Sequence, residues 1–508
     1  MAPRLMVDGL PLLQPDFAGR GLANVAPTVL RLLARRANPT PEHDTSAGDN
    51  ANAVCGQAPA AAATGHGVGG QAEGGQATGG DRATEHGAGG QAASREAATG
   101  PVHESRVHGA STTDSLVSLP DLDEHVLPPH LREGISTVVL LVVDGLGHLQ
   151  LQREVAAGAA PNLGALLARA ASGDDAVSYA PITSVFPTTT VAALGAVNSG
   201  VQTTAHGLLG YTLYLPEFDM VAEMIRWGPL NRRVSFSDPE FGCAPEQFFW
   251  SPTMYARLHQ AGVGRTFAVN PNHFSGTALT RMLHQDAEYQ GYIATSSLEP
   301  IVRRLVEDST EPTYIYAYWP TVDTIAHLVG PLTAEHSAEV TAVDAMLGRL
   351  VRGAPGRGRT LLLMTADHGH IATHPDRIRS LGEHPELLQM LRVPPAGERR
   401  VVYLHPRQGA RDEVAAYARE RLRDIGALLP RDEAVSAGLF GPGELPPRAA
   451  ERIGELLLFA RDNVQIVTPI DPPPPESSRP VGPPPRFFGL HGGLSDDEAL
   501  VPLLAARL

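Results

Sequence analysis

The chain of 508 residues contains no lysine, and all 40 of its basic residues are arginine. That absence excludes the P-loop, whose lysine sits on the phosphates, the Schiff-base enzymes of pyridoxal phosphate, and protein kinases with their strand lysine. Positive charge is short overall, with 55 acidic residues and a formal net charge of -15. A broad phosphate-binding surface, and with it bulk nucleic-acid binding, is not expected. Cys55 and Cys243 are too few for a disulfide framework or a zinc-thiolate cluster. No apolar run approaches the ~18 residues of a membrane span. The first residues show neither a signal-peptide apolar core nor a small-residue cleavage site. These absences lead to the expectation of a cytoplasmic protein with no membrane partner.

What is present divides unevenly. Hydrophobic residues make up 43% of the chain, enough for a sizeable core. Residues 37–118 depart from the rest: they contain no Phe, Trp or Tyr, nine acids against three Arg, and the tetrapeptide Gly-Gly-Gln-Ala three times. Such a composition cannot offset an ordering entropy of roughly 1–2 kcal/mol per residue, so a disordered Gly/Ala-rich insert is expected there. Residues 1–36 carry helical spacing through Val25–Leu33 and are expected to pack on the main body. The working domain is then 119–508. In it, the apolar runs Ile135–Val143, Thr266–Val269, Thr313–Tyr318, Thr360–Met364 and Arg400–Leu404 read as strands. Helical patterns fall between or after them at Asn162–Ala171, Leu298–Glu307, Ala334–Arg352 and Asp412–Arg423. This alternation predicts an α/β domain with a mostly parallel central sheet flanked by helices on both faces. Prolines 472–475 and 483–485 punctuate a loop before a short terminal segment.

In open α/β sheets ligands bind beyond the carboxyl ends of the strands. Three runs deliver an acid there: Asp144 after the first, Asp323 with His327 four residues on, and Asp367 with His368 and His370. Singly, an Asp in such a place is an ordinary cap or turn residue, and an Asp–His pair four apart an ordinary helix-surface pair. Together, three carboxylates on one edge would repel. With no lysine in the chain and no arginine beside any of the three, the natural counter-charge is a divalent metal. Carboxylate with imidazole suits zinc or a related ion.

These residues carry a resemblance. Val142-Val143-Asp144-Gly145, Asp323-x-x-x-His327 with Gly330-Pro331, Ala366-Asp367-His368-Gly369 and Gly489-Leu490-His491-Gly492-Gly493 occur in the order found in the alkaline phosphatase superfamily. Over residues 136–500 the chain most resembles the type I phosphodiesterase/nucleotide pyrophosphatase branch. The resemblance implies an alkaline phosphatase-like fold and two metal sites, one from Asp323, His327 and His491, the other from Asp144, Asp367, His368 and the nucleophile oxygen. It implies two divalent ions, zinc first and manganese as alternative, acting on a small phosphodiester or nucleotide-like substrate through a covalent intermediate.

The nucleophile is sought between Pro181 and Leu194, where Thr183, Ser184, Thr188, Thr189 and Thr190 enter a helix. In the family branch it is a Thr directly before Phe-Pro, but here that place is Val185. A second regularity, ten residues before the Gly that ends the helix, leads from Gly200 to Thr190, with Thr189 and Thr188 in reserve. The remaining enzyme readings are a phosphomonoesterase or phosphomutase on the same scaffold; the Cys-x-Pro-x-Arg pattern of sulfatases is absent. The reading outside enzymes is a non-catalytic metal-binding scaffold. Phe248-Phe249-Trp250 suit a core or a nucleobase stack, and Asn270, Asn272 and His273 a turn or a pocket wall. Cys243 reads as packing, and His370, His374, His384 and His405 carry no assigned role beyond support of a metal site.

Overall fold

The computed structural model describes residues 2–37, 119–353, 355–469 and 486–508. The chain parts into two units, residues 1–40 with 109–508, and residues 41–108. The second unit lies outside the described residues. So does the whole expected insert save Ala37, along with both proline clusters of the late loop.

The apolar runs form strands for the reason their composition implies: buried on both faces, they have no polar side to alternate. All seven residues of Thr137–Val143 are buried, as are all seven of Thr313–Trp319 and all six of Thr360–Thr365. They lie in a seven-stranded sheet in the order Val177–Thr183, Leu500–Arg507, Thr360–Thr365, Thr137–Val143, Thr313–Trp319, Arg265–Pro271, Glu288–Tyr292. Pairing from the third to the seventh is parallel. The one antiparallel strand is Leu500–Arg507, wedged between Thr360–Thr365 and Val177–Thr183. What reads as a short terminal segment is therefore an eight-residue strand inside the main sheet. Helices occupy the expected places, Pro161–Ala171, Leu298–Glu307, Ala334–Gly353 and Arg411–Arg421. Leu298–Glu307 buries Leu298, Val302, Leu305 and Val306, the stripe a 3.6-residue period presents to a sheet.

Arg400–Leu404 departs from expectation. Its strand, Val401–Leu404, belongs to a second seven-stranded sheet whose described pairings are all antiparallel. An apolar run does not distinguish a parallel strand from one buried in an antiparallel sheet, and this run faces Leu456–Ala460 rather than Thr360–Thr365. At the N-terminus, the helix Val25–Ala37 buries Val25, Val29, Leu32 and Leu33. The backbone before it is tied down at both ends: Thr183 N–H donates to Arg20 O (3.0 Å), and Leu13 N–H to Leu494 O (2.8 Å).

Candidate active site

Parallel register brings the acids together. Val143 lies opposite Trp319, and Val142 opposite Thr365, so the residues that follow leave the sheet on one edge. Asp144 N–H donates to Trp319 O (2.9 Å) and Gly145 N–H to Asp367 Oδ1 (3.1 Å). Gly145 has φ +74°, and a Cβ on it would meet His370 Nε2 at 2.7 Å and Asp323 Cα at 2.9 Å. Only glycine lets the first strand's exit pass so near the other two.

Three overlapping sets of donors result, and one of them, Asp323 with His368 and His370, bridges the other two. The ligand atoms of Asp144, Asp367 and His368 lie within 4.8 Å of one another, as do those of Asp323, His327 and His491. In the first set His368 Nε2 is 3.5 Å from Asp144 Oδ1 and 3.4 Å from Asp367 Oδ2. Those two oxygens are buried and have no hydrogen-bond partner. The opposite oxygens are occupied: Tyr318 OH donates to Asp144 Oδ2, and the His368 N–H donates to Asp367 Oδ1 (3.0 Å). In the second set His327 Nε2 and His491 Nε2 face each other at 3.1 Å, and lie 3.3 and 3.7 Å from Asp323 Oδ1. The sets adjoin, with the His368 and His491 rings stacked at 3.6 Å.

The outer nitrogens decide what the inner ones carry. His327 Nδ1 meets Gly489 O (2.8 Å), His491 Nδ1 meets Thr188 O (2.9 Å) and His368 Nδ1 meets Gly369 O (3.2 Å). A carbonyl only accepts, so in the neutral rings the proton is on Nδ1 and each Nε2 offers a lone pair. Lone pairs then face carboxylate oxygens and one another. A cation satisfies that arrangement, and hydrogen bonds within the set do not.

Electrostatics say the same. Burial, with Asp367 and Asp323 close by, pushes Asp144 well above the usual carboxylate range. Burial acts upward on Asp323 too, but His327, His370 and His491 outweigh it and hold that carboxyl well below. His491 is driven well down by burial and by its imidazole neighbours. Among the described residues no arginine lies within ion-pairing distance of Asp144 or Asp367, and His368 alone stands beside both.

The five hydroxyls of the Pro181–Leu194 segment have separate surroundings. Thr183 Oγ1 accepts from Asp16 N–H (2.6 Å), and Ser184 Oγ donates to Asp367 O. Thr188 Oγ1 donates to Gly493 O (2.7 Å) and accepts from Gly492 N–H (3.0 Å). Thr189 is the residue before the helix Thr190–Val197, and its hydroxyl hydrogen-bonds Glu398. Only Thr190 reaches the donor sets, with Oγ1 3.2 Å from His368 Nε2. Val185, at the Phe-Pro position, is 1% exposed in the core.

Other sequence candidates fall elsewhere. Phe248 and Phe249 are core residues, and Trp250 lies under Arg448 and Arg452, whose guanidinium carbons are 3.6 and 4.1 Å from its ring centroid. Asn270 is buried, whereas Asn272 and His273 form an exposed turn. His374 pairs with exposed Asp376, His384 with Tyr417, and buried His405 with Glu451 O. Cys243 is half-buried and unbridged.

Sequence reasoning gave His370 no specific partner and passed over two further features. His370, held to about 4 chiefly by burial and so neutral, meets Asp323 Oδ1 at 2.9 Å and orients it. The signal was its place two residues after His368. Tyr318, held protonated by burial and by Asp144, is a fixed donor to that carboxylate. Beside His327 and His491 lies a cavity of about 500 Å³, walled also by Tyr211, Leu230, Glu398, Arg399 and Phe487, drawn from segments far apart in sequence.

The α/β fold and the motifs define a hydrolase of the alkaline phosphatase superfamily. The family model of type I phosphodiesterase / nucleotide pyrophosphatase matches residues 138–493, well over half of the chain, and the chain belongs to that family. It is thus a phosphoric ester hydrolase. Solved structures share the fold. Murine ectonucleotide pyrophosphatase / phosphodiesterase 5, an inactive form in complex with AMP, is 16% identical at a TM-score of 0.51, over 72% of this chain and 87% of that one. Phosphonoacetate hydrolase from Sinorhizobium meliloti, in complex with phosphonoformate, is 18% identical at a TM-score of 0.52, over 73% and 89%. No curated protein matches the sequence significantly. Among the described residues no helix is long and apolar enough to cross a membrane.

Proposed function

We propose that the protein hydrolyses phosphodiester or pyrophosphate bonds with two divalent ions, zinc first and manganese as alternative, and with Thr190 as nucleophile. The reading takes residues 119–508 as the catalytic domain and residues 1–36 as a segment packed on it. The observation that carries it is the convergence of three imidazole lone pairs, two unpartnered carboxylate oxygens and the Thr190 hydroxyl on one sheet edge.

Asp323, His327 and His491 would hold one ion, and Asp144, Asp367, His368 and Thr190 the other. Bound there, divalent ions supply neutralisation of the carboxylates, a lowered pKa for the Thr190 hydroxyl and stabilisation of charge on the leaving oxygen. Thr190 Oγ, its proton released to solvent, attacks phosphorus in line, the bond to the leaving oxygen breaks, and that oxygen takes a proton from solvent. Water then cleaves the phosphothreonine and restores the hydroxyl. Thr190 starts a helix, so the first amides there have no intrahelical acceptor and present the positive end of the helix to a phosphoryl oxygen. His370 and Tyr318 hold Asp323 and Asp144 in place. The adjoining cavity leaves room for an organic group carried on phosphorus.

The test is metal content of the purified protein, with hydrolysis of bis(p-nitrophenyl) phosphate against p-nitrophenyl phosphate, before and after a chelator. Two equivalents of metal and chelator-sensitive diester cleavage are expected. Faster monoester cleavage would move the reading to a phosphomonoesterase. Bound metal with no turnover of either would leave a scaffold.

A further inference from the structure

Resting on the diester/pyrophosphate reading, we infer that Arg399 is a substrate-selecting residue, receiving a second anionic group that lies beyond the scissile phosphate. It lines the cavity that opens on His327 and His491. Its guanidinium carbon is 4.6 Å from the centroid of the Phe487 ring, and that ring is 5.1 Å from the His327 ring. The guanidinium is thus one ring spacing from Phe487, and Phe487 one from a proposed metal ligand.

What sets Arg399 apart is what it lacks. Its side-chain hydrogen bond is a long one to Gln465 Oε1 (3.4 Å), and among the described residues it makes no ion pair. The next residue shows the alternative: Arg400 is buried and paired with Glu498 (3.1 Å). Much of the wall about Arg399 is apolar, from Leu230, Ile466, Val467, Phe487 and Leu490, and burial lowers its pKa. A cation placed so loses hydration with no counter-charge among the described residues, and its planar fork matches phosphate or carboxylate oxygens.

The carboxyl beside it does not serve. Glu398 accepts from Tyr211 N–H (2.6 Å) and hydrogen-bonds Thr189, and its Cβ lies against Gly492, where an added Cβ would come to 2.7 Å. Burial pushes it up to about 8, so at neutral pH it is mainly the uncharged acid. Among the described residues the cavity wall therefore offers Arg399 as a cation without an ion-pair partner to whatever is joined to the reacting phosphorus.

The test compares bis(p-nitrophenyl) phosphate with P1,P2-bis(p-nitrophenyl) pyrophosphate, which adds one phosphoryl group, and with p-nitrophenyl 2-carboxyethyl phosphate, which adds a carboxylate. In Arg399→Gln the ratio of kcat/KM for a doubly anionic substrate over the simple diester should fall about tenfold or more, as expected for loss of a charge-assisted hydrogen bond. Arg399→Lys, which keeps charge without the fork, should fall between. The arm that falls names the anion, phosphoryl or carboxylate. Ratios that stay put in both arms, with an unchanged thermal midpoint, overturn the inference. A second readout needs no turnover: calorimetry on the zinc-loaded protein should find inorganic pyrophosphate bound more tightly than phosphate, with the gap narrowed in Arg399→Gln. An equal gap in both proteins also overturns it. Failure to cleave the simple diester strikes the diesterase reading instead.

Discussion

The two seven-stranded sheets are built from similar apolar runs but end differently. The mainly parallel sheet sends its chain exits to one edge, where Asp144, Asp367 and the Asp323 helix converge. The antiparallel sheet has no common exit edge, since neighbouring strands leave in opposite directions. It contributes singly placed groups instead: Glu398 and Arg399 to the cavity and Arg400 to a buried ion pair. Concentrated charge suits chemistry on phosphorus, and separated polar groups in an apolar wall suit choice among substrates. A parallel register makes a reaction centre cheap to assemble, and an antiparallel sheet makes its wall easy to vary.

The largest effect should come from the parallel edge. Thr190→Ala should cost on the order of 10³ or more in turnover, with metal content and stability near wild type. Thr188→Ala and Thr189→Ala should cost about 1 kcal/mol of stability each, because their hydroxyls serve the His491 loop and Glu398 rather than phosphorus. Kinetics of the three variants with parallel metal analysis check this, and retained activity in Thr190→Ala alone would move the nucleophile to a neighbour.

Next comes the joint between the sheets. Glu498, buried at the foot of the His491 loop, accepts from Gly493 N–H (2.9 Å) and Ser495 Oγ (2.6 Å) and pairs with Arg400. Arg400→Met strands a buried carboxylate and should cost about 3–5 kcal/mol in urea unfolding, whereas Arg4→Met, from an exposed pair with Asp496, should cost no more than ~1 kcal/mol. Equal costs would mean that the buried pair is not the joint described.

A third effect, on the pH dependence of stability, is shared by both regions. Burial takes His206, below the Thr190–Val197 helix, to about 3, and His405, after Val401–Leu404, to about 4. Folded values below the unfolded one mean that the unfolded chain binds the proton first. Their contribution is present above pH ~6.5 and is lost as pH falls toward 4 and 3, at up to ~1.4 kcal/mol per pH unit for each. Urea unfolding at pH 7.5 and 5.0 should show this fall, with a shallower one in His206→Gln. An unchanged pH dependence in that variant would place its charge change outside the folding equilibrium.

Strands at Thr137–Val143, Thr313–Trp319 and Thr360–Thr365 were legible because burial on both faces leaves an unbroken apolar run, and acids at their ends were legible because they interrupt it. The second sheet was not legible as a separate sheet. Its strands have the same composition, and Thr212–Leu215 meets Gly397 across 185 residues of chain. Thr190 was reached by counting, since Thr188, Thr189 and Thr190 are chemically alike and only their directions in space differ. His370 was in view but unassigned, because its role depends on Asp323, which arrives from another strand.

Sequence alone determined the chemistry available here: acids and histidines at strand ends in family order, no lysine to compete with metal, and hydroxyls at a helix start. Those are properties of residue type and local spacing. Tertiary structure decided which nitrogen of each histidine faces inward, which carboxylate oxygens stay bare, and that Arg399 stands beside the site with no ion pair among the described residues. Each of these is a matter of direction and distance between segments remote in sequence, and the packing of the two sheets supplies both.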